Sequence, residues 1–325
     1  MVKNKKDLLF LIVIIIFHIF FYSIAVYQDN YFPFSGVKFK LSDSYQYLIE
    51  AENIISKGIF YAEDLNNTLA YKYYTIRPPG YPLFLAFFKL FNAPFYIILI
   101  FQNIISILSI YLVRDTILTF GYNKKYDFLF LLLIVLTPSQ LIYTNVILTE
   151  VLFQLFLVIM FRSGVLFHKK NKDKYLFHYS LALILAAFIK PLMYLFVIPS
   201  TIYMIWIAVK SRKWQPIAFS ILPILAILFI FQCNFNRTKH YQYSSIQTIN
   251  LIDYNTRFFL ISRIGNEKAD AILDSIHHEA NLIPEYSKRM SFLDNRAKNI
   301  ILENLTSYIR YHLQGSFYAI LDPGR

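Results

Sequence analysis

Asp43 and Arg77 are the residues of this sequence best suited to chemistry. Arg77 lies in Thr75-Ile76-Arg77-Pro78-Pro79-Gly80-Tyr81-Pro82, where three prolines and a glycine surround one guanidinium. Proline locks φ, so the turn is stiff. Its planar fork of donors matches a phosphate bidentately, and an arginine at a membrane boundary can also simply snorkel. Asp43 stands in the polar stretch before this turn. A carboxylate there can take a proton from an acceptor hydroxyl or amine. It can equally cap a helix, because Asp43-Ser44-Tyr45-Gln46 has capping-box spacing, and a cap would also fix where the carboxylate points. Lys190 follows an apolar run and precedes Pro191, as an interfacial anchor or as a second partner for a phosphate beside a restarted helix. Glu150 follows Thr149 at the head of another apolar run. There it serves the helix dipole behind a threonine cap, or supports the arginine or the acceptor.

The elements that must position these groups are membrane spans. The chain of 325 residues is 57% hydrophobic and 18% aromatic with only 16% charged residues, against about a quarter in soluble domains. Apolar runs over 7–27, 95–112, 126–148 (broken at Thr137-Pro138), 151–167, 176–189, 192–208 and 216–231 are span candidates, and 81–91 is shorter. The net charge of +12 falls in short segments between these runs: Lys3, Lys5 and Lys6; Arg114, Lys124 and Lys125; 168–174; and Lys210, Arg212 and Lys213. That is an orientation signal and not a nucleic-acid footprint. Placing all four inside predicts seven crossings. The outer segments are then 28–80, the region around 138–150, the Lys190-Pro191 turn and everything after about 233. Asp43, Arg77, Glu150 and Lys190 all fall outside. The first run is too long for a signal-peptide core and no small-residue cleavage site follows it, so it reads as a retained span.

The expected fold class is therefore an all-α polytopic membrane protein. A transmembrane module covers 1–233, with a first outer loop over 28–80, and a helical extracytoplasmic segment covers 234–325. The loop should contain an amphipathic helix from Asp43 to the stop at Gly58, with Tyr47, Leu48, Ala51, Ile54 and Ile55 on its apolar stripe and Glu50, Glu52 and Lys57 off it. Helices are expected over 266–282 and 285–311, the latter carrying a stripe of Ile300, Ile301, Leu305, Tyr308 and Ile309. Asn66-Asn67-Thr68, Asn236-Arg237-Thr238 and Asn304-Leu305-Thr306 fit the glycosylation acceptor pattern, and all fall outside. Cys233 is the single cysteine, which excludes internal disulfides and cysteine-based metal sites. His277-His278 lacks the i, i+4 spacing of a helical zinc site and reads as a solvated face; His18, within the first run, reads as a packed bundle residue. Nothing in the sequence demands a cofactor or a divalent metal, and no nucleic-acid motif is present.

The pattern Asp43-Ser-x-x-Tyr47-x-x-x-Ala51, Gly58, Arg77-Pro-Pro-Gly-Tyr-Pro82, Thr149-Glu150 and Lys190-Pro191 resembles the bacterial protein-mannosyltransferase-like and aminoarabinose-transferase-like glycosyltransferases of the GT-C fold. The resemblance runs through roughly 40–200, and the Arg-Pro-Pro-Gly-Tyr-Pro run is its most specific part. It implies a GT-C type bundle in the plasma (inner) membrane with its active site on the extracytoplasmic face. It implies transfer of a sugar from a polyprenyl-phosphate carrier to a lipid, glycan or protein acceptor. Asp43 maps onto the catalytic base, Arg77 and Lys190 onto the positions that hold the carrier phosphate, and Tyr47, Tyr81 and Glu150 stand beside them as supporting residues. Two features depart from the family: Ser44 replaces the second acid of an Asp-Glu pair, and Lys190 stands where arginine is frequent. Family members are also longer, with more spans, so the chain is expected to be a fragment or a short version, its segment 234–325 returning to the membrane interface near Gly315 and Pro323-Gly324. The rival readings are a transporter or flippase of lipid-linked sugars, and a non-catalytic component of a polysaccharide assembly complex. Transporters favour ionisable residues at midplane and repeated halves, whereas here the charges sit at span ends and no repeat is visible.

Overall fold

The computed structural model describes residues 5–31, 43–67, 69–121, 123–136 and 138–321. Lys3, Thr68, Thr137 and Pro323-Gly324 lie outside the described residues. Among those described the fold is all-helical, without a strand. The chain divides into two compact units: Met1–Leu69 with Arg77–Ile230, and Ala70–Ile76 with Phe231–Arg325.

The first unit contains α1 (Lys5–Tyr31), α2 (Asp43–Lys57), α3 (Gly80–Leu90), α4 (Phe95–Thr119), α5 (Asp127–Leu136), α6 (Ser139–Tyr143), α7 (Glu150–Lys170), α8 (Lys174–Ile189) and α9 (Val197–Ser211), and most of α10 (Gln215–Thr238). Among the described residues, five helical stretches are long and apolar enough to cross a membrane: Asp7–Tyr27, Phe95–Thr119, Glu150–Lys170, Pro191–Ser211 and Gln215–Thr238. Their surfaces suit lipid: Leu9, Ile16, Phe20, Ile198, Val209 and Phe229 are each more than half exposed. Two of the expected spans are shorter than these stretches. The run over 126–148 divides at Pro138, as its sequence implies, into short α5 and α6, because proline lacks the donor a continuous helix needs. α8 is apolar but only 16 residues long.

Contacts order the two ends of this bundle. At one end Arg114 of α4 pairs with Asp7 of α1 at 2.9 Å and Asp127 of α5 at 2.7 Å. Arg162 of α7 meets Asp115 at 2.6 Å, and Lys213 reaches Asp173, beside the start of α8, at 3.1 Å. Phe167, Leu176 and Ile207 pack together there, joining α7, α8 and α9. His168, Lys169 and Lys170 in the last turn of α7 complement its C-terminal dipole. At the other end a core of Tyr47, Tyr81, Leu85, Ile98, Ile147 and Ile189 joins α2, α3, α4, α8 and the turn before α7. Asp43–Arg77 at the starts and Glu52–Lys89 near the ends show that α2 and α3 run side by side in one direction.

The second unit holds α11 (Ile246–Ile249), a π-helical stretch (Asn250–Thr256), α12 (Arg257–Ile264), α13 (Asn266–Asn281), α14 (Tyr286–Glu303) and α15 (Leu305–Leu321). Its core is Ile252, Leu273, Ile276, Met290, Leu293 and Ala297. The strip Ala70–Ile76 is stitched into it: Gln242 Nε2 donates to Thr75 Oγ1 at 3.0 Å, Ser244 Oγ to the Ile76 carbonyl at 2.9 Å, and Ser245 Oγ to the Lys72 carbonyl at 2.8 Å. The helix expected over 285–311 is two helices, interrupted at Asn304. The stripe expected there splits as well. Tyr308 turns inward onto Phe259, 5.3 Å between centroids, while Leu305 and Ile309 are exposed.

Candidate functional site

α2 carries the first half of the site. Asp43 and Gln46 are three residues apart and so leave the helix on one face. Their spacing fits a capping box, but both side chains serve Arg77 instead. Arg77 Nε donates to Gln46 Oε1 at 2.7 Å and Nη2 donates to Asp43 Oδ1. Tyr47 closes a third side: Nη1 donates to its hydroxyl at 3.4 Å, and the guanidinium carbon lies 4.9 Å from its ring centroid, a cation–π contact. Arg77 is thereby enclosed, with 9% of its side chain exposed, whereas Asp43 is 60% exposed. A cation so enclosed needs partners, and three residues of one helix supply them.

Tyr47 connects this clamp to the second half. Its ring stands edge-on to that of Tyr81, 5.1 Å apart at 83°, and Thr149 and the Glu150 charge lie close enough to influence its phenol. Burial holds its phenol above the ordinary value, opposed by the charge of Arg77, so it stays neutral at physiological pH. Tyr81 donates to Gln102 Oε1 at 2.7 Å, and the Gln102 amide donates to the carbonyls of Thr144 at 3.1 Å and Val146 at 2.8 Å. That ties α3 and α4 to the turn delivering Thr149 and Glu150.

Thr149 makes no capping hydrogen bond. Its own backbone is already helical at φ −72° and ψ −18°, whereas a capping side chain works from an extended residue. Its hydroxyl instead lies between Tyr47 and Glu150 Oε2, the latter at 3.4 Å. Glu150 Oε1 then accepts from Lys190 Nζ at 3.0 Å, and Lys190 also sits 5.3 Å from the Phe153 ring centroid. α8 does break before Pro191, as its sequence implies. Lys190 is extended at φ −128° and ψ 125°, and a 3-10 turn, Pro191–Phe196, follows.

Gly80 brings the two halves together. A β-carbon at Gly80 would lie 2.6 Å from the Phe188 carbonyl oxygen and 2.9 Å from Ile189 Cδ1. Only glycine lets the Arg77 turn approach the end of α8 this closely, two residues before Lys190.

The structure thus gathers Asp43, Arg77 and Tyr47 in direct contact with Tyr81 against the Tyr47 ring, and it pairs Glu150 with Lys190 within electrostatic reach of Tyr47. Gln46 and the Thr149 hydroxyl belong to the same network and were legible only as capping residues. Glu50 is a correction: expected off the apolar stripe, it is 1% exposed. Asp43, Gln46, Tyr47 and Glu50 follow i, i+3, i+4, i+7 spacing, one helical face whose burial deepens from the exposed Asp43 to the enclosed Glu50. Ile55, expected on the buried stripe, is exposed. Outside the site, His277, more than a third exposed, pairs with Asp253 Oδ1 at 2.7 Å through Nε2, and His278 is exposed. His18 is buried against Ser106, 3.0 Å from its hydroxyl. Among the described residues no three His, Cys, Asp or Glu side chains converge as a metal site.

No family model matches this sequence, and no curated protein or solved structure matches the chain. The functional reading therefore rests on the residues themselves. They can present a partly exposed carboxylate beside an enclosed guanidinium, with a second cation, Lys190, held on Glu150.

Proposed function

We propose that this chain is a multi-pass membrane glycosyltransferase of GT-C type. It moves a sugar from a polyprenyl-phosphate carrier to a lipid, glycan or protein acceptor at the extracytoplasmic face of the plasma membrane. Asp43 is the general base. It takes the proton of the acceptor hydroxyl or amine as that atom bonds to the anomeric carbon. The bond from the anomeric carbon to the phosphate oxygen breaks on the opposite face, its electron pair leaves on the phosphate, and configuration inverts. Arg77 and Lys190 bind that phosphate as its negative charge grows. Tyr47 and Glu150 hold the two cations in place, and the chemistry uses no redox step.

One observation carries this reading: Asp43 and Tyr47 bind Arg77, and Glu150 binds Lys190 with its charge in reach of the Tyr47 phenol, although these residues come from four separate stretches of chain. They lie at the end of the first unit opposite the basic residues that flank the apolar helices. The test is the full chain in nanodiscs with radiolabelled polyprenyl-phosphate sugars and mixed envelope acceptors. Label should move to an acceptor, and Asp43→Asn should lower that rate by about 10²- to 10⁴-fold at unchanged helical content. Near-normal transfer by Asp43→Asn removes the mechanism. Passage of intact labelled lipid across the bilayer without transfer would instead mark a carrier of lipid-linked sugars.

A further inference from the structure

Asp43 and Arg77 are bound to each other, although they are assigned to opposite partners in the reaction. Each nitrogen of the Arg77 guanidinium has a partner. Its Nε edge faces Gln46, its Nη1 edge and one ring face meet Tyr47, and the Nη2 edge meets Asp43. Of these three partners only Asp43 is largely exposed. Asp43 is thus the partner of Arg77 that solvent and a solute can most readily reach. A carboxylate oxygen is also the nearest protein equivalent of a phosphate oxygen: an anionic acceptor that takes the same guanidinium donors.

We infer that Asp43 occupies the phosphate's place in the unliganded protein, as an internal anion that a phosphomonoester or phosphodiester must displace. This deepens the glycosyltransferase reading and rests on it. Arrival of the donor phosphate moves the Nη2 donors from Asp43 Oδ1 to a phosphate oxygen. The same exchange frees Asp43 Oδ1 to accept a proton from the acceptor. Gln46 and Tyr47 keep the guanidinium fixed during the swap, so only the Asp43 side chain has to move. The exchange orders the reaction: the base is released only when a phosphate is in place, and an acceptor that arrives first meets a carboxylate still tied to Arg77.

The experiment measures binding, not turnover. Full-length protein in nanodiscs is titrated with farnesyl phosphate, with inorganic phosphate and with uncharged farnesol. Asp43→Asn removes the competing charge and should bind farnesyl phosphate about tenfold tighter than the unmodified protein, the scale of one charge-assisted hydrogen bond. Arg77→Gln should bind about tenfold weaker. In the double variant the gain from Asp43→Asn should vanish. A gain of the same size with inorganic phosphate assigns the exchange to the phosphate group alone, and a gain confined to farnesyl phosphate assigns it to the lipid headgroup. An equal gain with farnesol would show that charge is not involved and would overturn the proposal. Unchanged or weaker binding by Asp43→Asn, with Arg77→Gln still weakened, overturns the displacement and leaves the phosphate site standing. Unchanged binding by Arg77→Gln overturns the phosphate site itself. Asp43→Ser serves as a second probe of the same charge, and the exposure of Asp43 means that neither replacement empties a core.

Discussion

At the scale of single residues, two arginines show how differently one side chain can be used. Arg77 has one carboxylate partner, largely exposed, and two neutral ones. Arg114 has two carboxylate partners, Asp7 and Asp127, and all three side chains are nearly enclosed, with Phe10 4.5 Å from the guanidinium carbon. Arg77 can exchange a partner; Arg114 cannot. Arg77→Lys keeps the charge but replaces a fork that meets Gln46, Tyr47 and Asp43 at once by a compact point. We expect farnesyl phosphate to bind about tenfold weaker to Arg77→Lys, measured in nanodiscs, with little change in thermal stability. Arg114→Met leaves two carboxylates facing each other without a cation, a loss of about 3–5 kcal/mol. The expected result is a strongly lowered Tm in detergent, largely regained when Asp7→Asn and Asp127→Asn are added. A Tm unmoved by Arg114→Met would show that the cluster contributes nothing. Arg77 was legible in the sequence because its prolines and glycine are a local signal. Arg114 was read as part of a polar connection, because the apolar run ends at Leu112. The helix nevertheless continues to Thr119, since Arg114 and Asp115 find partners on other helices, which no local pattern encodes.

At the scale of elements, two junctions are testable. The first is the crossing of the Arg77 turn over the end of α8 at Gly80. Gly80→Ala forces the Phe188 carbonyl away, an overpacking cost of about 1–3 kcal/mol, and separates Arg77 from the Lys190 segment. Gly164→Ala is the control, because its nearest neighbour would be Tyr179 Cδ2 at 4.0 Å. Gly80→Ala should lower both Tm and phosphate affinity while Gly164→Ala changes neither; equal behaviour of the two removes the junction from the account. The second junction joins the π-helical stretch to α13 through Asp253 and His277. The hydrogen bond to Asp253 raises His277, burial opposes it, Asp274 adds to the rise and Lys72 reduces it. A raised imidazole contributes stability in full below its unfolded value near 6.5 and loses it as pH climbs through the higher folded value. The second unit should therefore melt at a lower temperature at pH 8.5 than at pH 6, and Asp253→Asn should flatten that dependence. Most helices were legible from periodicity and from Pro138, Pro191 and Gly58. The π-helical stretch was not, nor was the break at Asn304, because both depend on what packs against them and not on their own residues.

At the scale of the whole molecule, charge and chemistry lie at opposite ends of the first unit. The ends are defined without reference to charge bias: Phe167, Leu176 and Ile207 meet at one, Tyr47, Tyr81 and Ile189 at the other. Lys169, Lys170, Lys174, Lys210 and Lys213 gather at the former, with Lys169 5.9 Å from the Phe120 ring centroid and Lys213 on Asp173. Positive residues favour the cytoplasmic side, which is the ground for the proposed placement of the site end at the exterior. The sequence placed Asp43, Arg77, Glu150 and Lys190 on one face by counting lysines and arginines. Their contacts in the fold come from packing, so the two lines of reasoning have separate origins. Cys233 is the only cysteine, so a Cys233→Ser background permits single-site labelling. Asn66→Cys, exposed between α2 and the Arg77 turn, and Lys172→Cys, exposed between α7 and α8, mark the two ends. In intact cells a membrane-impermeant maleimide should label Asn66→Cys, and Lys172→Cys should react only after permeabilisation. The reverse pattern would put the site on the cytoplasmic side and sink the extracytoplasmic assignment. Labelling of both in intact cells would show that the apolar helices between them do not separate two compartments.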